Sequence, residues 1–190
     1  MKVVLIGSGN LAHHLGHAFY KKGITIQQVM GRSASSAKKL SRSLHCAWSI
    51  DSSRLDLSAD LYLLAVSDHE LPAAISEFPL LKDKVVVHTS GTVPLSVFPR
   101  SFKHAGVFWP VQTLTKKEAL TNNRFPVCIE YRSTIARTRM RKLAKSIECK
   151  SVELKSSDRE LLHLSAVMVN NFTNHLYTLA EELLRKKKID

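Results

Sequence analysis

Three features of this 190-residue chain predict an α/β fold: a doubly wound parallel sheet followed by the start of an all-helical C-terminal unit. Short β-branched runs alternate with helical patterns from the N-terminus onward, with short connections between them. The runs "VVLI" and "LYLLAV" are continuously apolar, which suits strands covered by helices on both faces. After about residue 154 the alternation stops, and "SSDRELLHLSAVMVNNFTNHLYTLAEELLRKKK" continues without a glycine or proline.

In chain order, strands are predicted near Lys2–Ile6, Ile24–Met30, Leu61–Val66, Val85–His88, Gly106–Phe108 and Val127–Tyr131, with a short one near Cys46–Ile50. Helices fall between them, near Leu11–Lys22, Ala34–Leu44, Glu70–Phe78 and Thr134–Ile147. Right-handed crossovers then give a parallel sheet. The final stretch reads as one long helix, roughly 40 Å at ~1.5 Å per residue. Ser157 and Glu160 have the capping-box spacing at its start, and Glu181 and Glu182 precede Arg185 and Lys186 at helical offsets near its end. Its middle, "LSAVMV", is apolar nearly all round and needs cover. Either the helix docks on the α/β unit and on a second subunit, or the chain is a fragment of a longer protein. The expected division is 1–154 for the sheet domain and 155–190 for the helical substrate and dimerisation domain.

Composition narrows the classes. The opening apolar run from Val3 ends at Gly7, far short of the ~20 residues of a membrane span. Cys46, Cys128 and Cys149 are odd in number and form no CxxC pair, so neither a disulfide framework nor a cysteine zinc site is indicated, and a reduced cytoplasm is the expected compartment. A net charge of +12 is concentrated in "RTRMRKLAK" from Arg137 and "RKKK" from Arg185. Without interleaved aromatics these read as solvated helix faces rather than a nucleic-acid surface. His13 and His17 sit four apart on the first helix, but no third ligand has matching spacing, so no metal is expected.

"GSGNLA" places Gly7, Gly9 and Ala12 in the G-x-G-x-x-A pattern, directly after a strand and opening a helix. Gly7 permits the tight turn, Gly9 lets a pyrophosphate approach the backbone, and Ala12 with Gly16 lets the helix lie close on the sheet. Free N–H groups at the helix start then face the phosphates. NAD enzymes carry Asp or Glu at the end of the second strand, but "ITIQQVMGRSASS" has none. Arg32 with Ser33, and with Ser35 nearby, instead suits the 2′-phosphate of NADP. The plainer reading is a loop arginine ahead of a serine N-cap.

Other polar residues gather at strand ends, where open α/β sheets bind ligands. They are Ser67, Asp68 and His69 in "AVSDHEL", His88 and Ser90 in "VVVHTSGT", and Trp109, Pro110 and Gln112 in "GVFWPVQT". Ser67 and Ser90 suit the nicotinamide ribose, with turn or N-cap service the competing reading for Ser90 and Asp68. His88, ending a buried strand, is either an acid–base group or a hydrogen-bonded core histidine. "HTSGT" is no nucleophile elbow, because His88 stands where a glycine is needed. On the long helix, His163, Asn170, Asn171 and Asn174 recur on one face, as either a substrate-binding stripe or a polar packing seam.

Together "LIGSGNLAHHLG", "GRS", "LYLLAVSDHEL", "VVVHTSGTVPL", "GVFWPVQT" and "LLHLSAVMVNNFTNHLYTLAEELL" resemble bacterial Rossmann-like NADP oxidoreductases with a C-terminal helical domain, relatives of pyrroline-5-carboxylate reductase and the β-hydroxyacid dehydrogenases. The resemblance implies that Gly7, Ser8, Gly9, Asn10 and Leu11 form the pyrophosphate turn, that Arg32 and Ser33 form the NADP loop, and that Val66 and Ser67 lie beside the nicotinamide ribose. It also implies a helical domain, often dimeric, that continues past the end of this chain. The dehydrogenase relatives use a lysine and an asparagine about one turn apart. Here His163 and Asn170 stand in the corresponding helix, at a wider spacing.

The expected function is an NADP-dependent oxidoreductase transferring hydride between NADP(H) and a small carbonyl, imine or hydroxy acid. His163 or His88 is the candidate proton donor, Asn170 or Asn174 would orient substrate, and a homodimer would form through the last helix. The alternative is an NADP-binding sensor or regulatory scaffold without turnover.

Overall fold

A computed structural model describes residues 1–112 and 125–187. Thr113, which ends the "GVFWPVQT" stretch, and residues 188–190 of the basic tail and C-terminal unit lie outside the described residues. An eight-stranded sheet is formed by β1 (Lys2–Ile6), β2 (Thr25–Met30), β3 (Ala47–Ser49), β4 (Leu61–Leu64), β5 (Val85–His88), β6 (His104–Pro110), β7 (Val127–Tyr131) and β8 (Ser151–Glu153). Their order across the sheet is β3-β2-β1-β4-β5-β6-β7-β8, so the direction of winding reverses between β1 and β4. Helices α1 (Asn10–Lys21), α2 (Ala34–Leu44), α3 (Leu71–Glu77) and α4 (Thr134–Ser146) cover the two faces.

Strand alternation divides the core in two. Val3 and Leu5 of β1 join Leu15 and Phe19 of α1, Leu40 of α2 and Met140 of α4 on one face. Val4 and Ile6 join Leu71 and Ile75 of α3, with Phe98 and Phe102, on the other. Strands buried on both sides explain the uninterrupted apolar runs.

The sheet is not parallel throughout. Strands β1 to β6 are parallel, but β7 pairs antiparallel with β6, and α4 then returns the chain so that β8 lies parallel to β7. Strand β8 has no counterpart in the sequence reading, being three residues long with no apolar run. The basic stretch on α4 is partly neutralised in place: Arg137 and Arg141 pair with Glu153 at 2.7 and 2.9 Å, and Arg139 pairs with Asp60.

Past β8 the chain forms α5 (Ser156–Val167), a single π turn (Met168–Phe172) and α6 (Thr173–Lys186), continuous as expected. The capping box does not form. Among the described residues Ser157 reaches Asp158, and the α5 terminus is held instead by the Glu130 carboxylate of β7, which accepts from the Ser156 N–H at 3.1 Å and from its hydroxyl at 2.8 Å. Beyond its first turns the helix is bare, with Leu164, Val169, Phe172, Leu176 and Leu183 all exposed, Val169 by 73%. No helix among the described residues is long and apolar enough to cross a membrane. No disulfide joins Cys46, Cys128 and Cys149, and burial pushes each thiol up to about 11.

Candidate functional site

The reversal between β1 and β4 opens a crevice of about 430 Å³ at the carboxyl ends of the strands, where doubly wound sheets bind ligands. Gly7 closes its floor. Its N–H donates to the Met30 carbonyl at 2.8 Å, its φ is +115°, and a Cβ there would lie 2.2 Å from the Ala65 carbonyl oxygen. The chain passes between its two neighbouring strands in a conformation and a space that only glycine accepts. Gly9 differs. It is the N-cap of α1, and a Cβ on it would meet nothing within 4 Å, because it would project into open space. No side chain caps α1 and no acidic residue stands in its first turn, so its N–H groups are available to an anion.

Gly7, Ser8, Gly9, Arg32, Ser33, Val66 and Ser67, all expected at a cofactor site, line this one cavity. Asn10 and Leu11 begin α1 behind it. Ser33 also caps α2, accepting from Ser36 N–H at 3.5 Å, so the N-cap reading of that serine holds alongside its place in the crevice. Arg32 is 79% exposed and pairs with Glu70, from the turn Asp68–Glu70 after β4. The Ser67 hydroxyl, and then the Arg32 guanidinium, hold the Glu70 carboxyl below the usual carboxylate range. Sequence reading missed Glu70, which reaches Arg32 only because β4 lies next to β1.

The ends of β5 and β6 form a second cluster. Two rings close over Gly91: a Cβ there would come within 2.7 Å of Trp109 and 2.8 Å of His163 Nδ1, and the rings themselves meet edge-on at 5.5 Å. Thus α5 delivers His163 to the strand ends. Arg159, one turn earlier, anchors it. Only 1% exposed, this arginine pairs with Glu130 and donates to the Val93 carbonyl at 2.6 Å. Neither Arg159 nor Glu130 was expected at a site, although a charge inside the apolar strand "VCIEY" and another at the start of an apolar helix were the available signals.

The remaining candidates are dispersed. His88 is fully buried, stacked on Phe98, with Nδ1 accepting from Ser90 N–H at 3.2 Å. Its Nε2 is buried with no hydrogen-bond partner among the described residues. Burial, then the neighbouring Arg159 charge, lowers its pKa to about 3, leaving a neutral imidazole. Ser90 lies outside the crevice lining, and its hydroxyl accepts from the N–H groups of Thr92 and Val93 at 3.1 and 2.9 Å. Thr92 in turn donates to Asp68 at 2.6 Å, tying the two loops together. Asn170 and Asn174 are exposed. Their alignment with His163 assumed an uninterrupted α-helix, and the π turn rotates α6 relative to α5 by on the order of 90°. His13 and His17 touch ring to ring at 4.5 Å, and no group of three or more His, Cys, Asp or Glu suited to a metal occurs among the described residues.

A doubly wound sheet with a glycine turn at its switch point and a polar cluster at the neighbouring strand ends defines a dinucleotide-binding oxidoreductase fold. Residues 2–91 match the family described as NADP oxidoreductase, coenzyme F420-dependent, and residues 125–190 match a domain of unknown function. A crystal structure titled "putative NADP oxidoreductase", from Bacteroides fragilis, is 33% identical and superposes with a TM-score of 0.88 over 99% of this chain and 73% of its own. The chain belongs to this family of NADP oxidoreductases. Pyrroline-5-carboxylate reductase from Coxiella burnetii shares the fold at 15% identity, with a TM-score of 0.69 over 98% of this chain and 70% of its own. An imine reductase from Myxococcus stipitatus, in complex with NAD+, shares it at 13% identity, with a TM-score of 0.68 over all of this chain and 67% of its own. No curated protein matches the chain in sequence.

Proposed function

We propose that the protein transfers hydride between NADP(H) and a small carbonyl, imine or hydroxy acid. The observation that carries this reading is the joint lining of one crevice by the open Gly9 position, the uncapped start of α1, and Arg32 with Ser33. A pyrophosphate fits against Gly7, Ser8 and Gly9 and the first amides of α1, at Asn10 and Leu11. Arg32 and Ser33 suit a 2′-phosphate, and Val66 and Ser67, with Ser90 further along the strand ends, suit the nicotinamide side. The cofactor, when bound, supplies the hydride, while the protein orients substrate and excludes water.

His163 is the assigned proton donor, because it stands at the strand ends beside Trp109 and Gly91. His88 is neutral and sealed, which suits support of that loop rather than proton delivery. Asn170 is assigned to substrate orientation in an assembled helical domain, with Asn174 the weaker candidate because it lies beyond the π turn. Residues 1–154 form the cofactor domain and 155–190 belong to the substrate and dimerisation domain. A homodimer would cover the exposed apolar residues of α5 and α6, and the three unbridged cysteines suit a reduced cytoplasm.

Calorimetric titration with NADPH and NADH tests the cofactor. NADPH should bind more tightly, and Arg32→Ala should remove that preference while NADH affinity stays. NADPH oxidation against a panel of small ketones, cyclic imines and 2-keto acids then tests the chemistry: His163→Ala should abolish turnover without changing NADPH affinity. A second reading, an NADP-binding sensor or regulatory scaffold without turnover, draws support from the bare apolar surface of α5 and α6. NADPH binding with no turnover of any panel member would favour it.

A further inference from the structure

We propose that Glu70 sets how strongly the crevice prefers NADP over NAD, by competing with the 2′-phosphate for Arg32. This rests on the assignment of the crevice to a nicotinamide dinucleotide. The end of β2 lacks the carboxylate that an NAD site carries, yet a carboxylate reaches the same place from another element. Glu70 comes from the turn after β4, 38 residues along the chain, and meets the Arg32 guanidinium across the mouth of the cavity. Both residues line that cavity.

The two partners are not equivalent. Arg32 is 79% exposed, whereas the Glu70 side chain is 21% exposed and its backbone N–H donates to the Ser67 carbonyl at 2.9 Å. The carboxylate is therefore the fixed member and the guanidinium the movable one. Among the described residues, Arg32 is also the one lysine or arginine lining the cavity, against two carboxylates, Glu70 and Glu77. A 2′-phosphate arriving at Arg32 takes a guanidinium already engaged and sits close to a fixed negative charge. A ribose 2′-hydroxyl meets neither penalty. Glu70 thus acts against NADP selectively, and selectivity is read from the pair rather than from Arg32 alone.

The test is calorimetric titration of the wild-type chain, Glu70→Gln, Arg32→Ala and the double variant with NADPH and with NADH. Glu70→Gln should tighten NADPH by about 10-fold, the order expected when one close like charge is removed, and change NADH by less than about 3-fold. In the Arg32→Ala background the same substitution should have a much smaller effect on NADPH, because the competition is gone. Glu77→Gln, which removes a charge without touching the pair, should produce less than Glu70→Gln. Equal tightening of both dinucleotides, or weaker NADPH binding in Glu70→Gln, would overturn the assignment and make Glu70 a support for Arg32. If the wild-type chain binds neither dinucleotide, the crevice reading itself falls, and this inference with it.

Discussion

The crevice between β1 and β4 and the cluster at the ends of β5, β6 and β7 are built by opposite means. The phosphate end of the crevice is backbone and small residues, drawn from a few contiguous positions: Gly7 in a conformation no side chain tolerates, Gly9 facing open space, and the first turn of α1. The neighbouring cluster is made of side chains from separate elements. His88, Trp109, Glu130, Arg159 and His163 meet only when the whole sheet is assembled. At Gly9 and the first amides of α1 binding is separable from stability, because those atoms support little else. In the second region, the residue placed for chemistry depends on a buried ion pair that also holds α5 to the sheet.

Breaking that ion pair should have the largest effect. Arg159→Ala leaves the Glu130 carboxylate without its charged partner and loosens the first turn of α5, at an expected cost of about 3–5 kcal/mol in chemical denaturation. Loss of less than about 1 kcal/mol would mean that packing and the Ser156–Glu130 hydrogen bonds hold α5 without the ion pair.

Acid should sharpen the same contrast. His88 has a pKa lowered to about 3 in the folded protein, against 6.5 for a free histidine, so between these values the unfolded chain binds the extra proton. Stability contributed by the neutral ring is complete above pH 6.5 and falls as pH is lowered, by up to about 1.4 kcal/mol per pH unit. His17, lowered chiefly by burial, adds in the same direction. Denaturation midpoints from pH 7 to 5 should drop for the wild type and flatten in His88→Gln. An unchanged slope in that variant would place the acid sensitivity elsewhere.

The smallest change in stability belongs to the crevice. Gly9→Ala adds a methyl group to open space, so the fold should lose less than about 1 kcal/mol, the scale of an N-cap change. Dinucleotide binding should nonetheless weaken by at least about 10-fold, because the methyl fills the approach to the α1 amides. Undiminished binding in a folded Gly9→Ala protein would show that no phosphate sits there.

The same contrast explains what the sequence could convey. "GSGNLA" could be read because its meaning is local: a strand, a turn and a helix start within a dozen residues. The strands were recognisable from their apolar runs, since burial on both faces leaves that mark wherever the strand lies. Direction leaves none. The run Val127–Tyr131 looks the same parallel or antiparallel, so the reversal at β7 was invisible, as was β8, too short and too polar to register. Glu70 stayed hidden because its partner is fixed by strand order rather than spacing. The capping box was misjudged because Glu130, 26 residues before Ser156, supplies the cap from another element. Nothing in "MVNNF" announces a π turn, as it contains neither proline nor glycine, yet that turn moves Asn174 off the face assigned to it.

The silent thiols have a practical consequence. Burial pushes the Cys46, Cys128 and Cys149 thiols up to about 11, so they carry little thiolate at neutral pH. A cysteine introduced at exposed Phe172 would be ionised in roughly a few per cent of molecules at its ordinary pKa. The natural chain is thus already a near-blank background for maleimide chemistry. A single fluorophore on the π turn could then report directly when the bare helix acquires a neighbour.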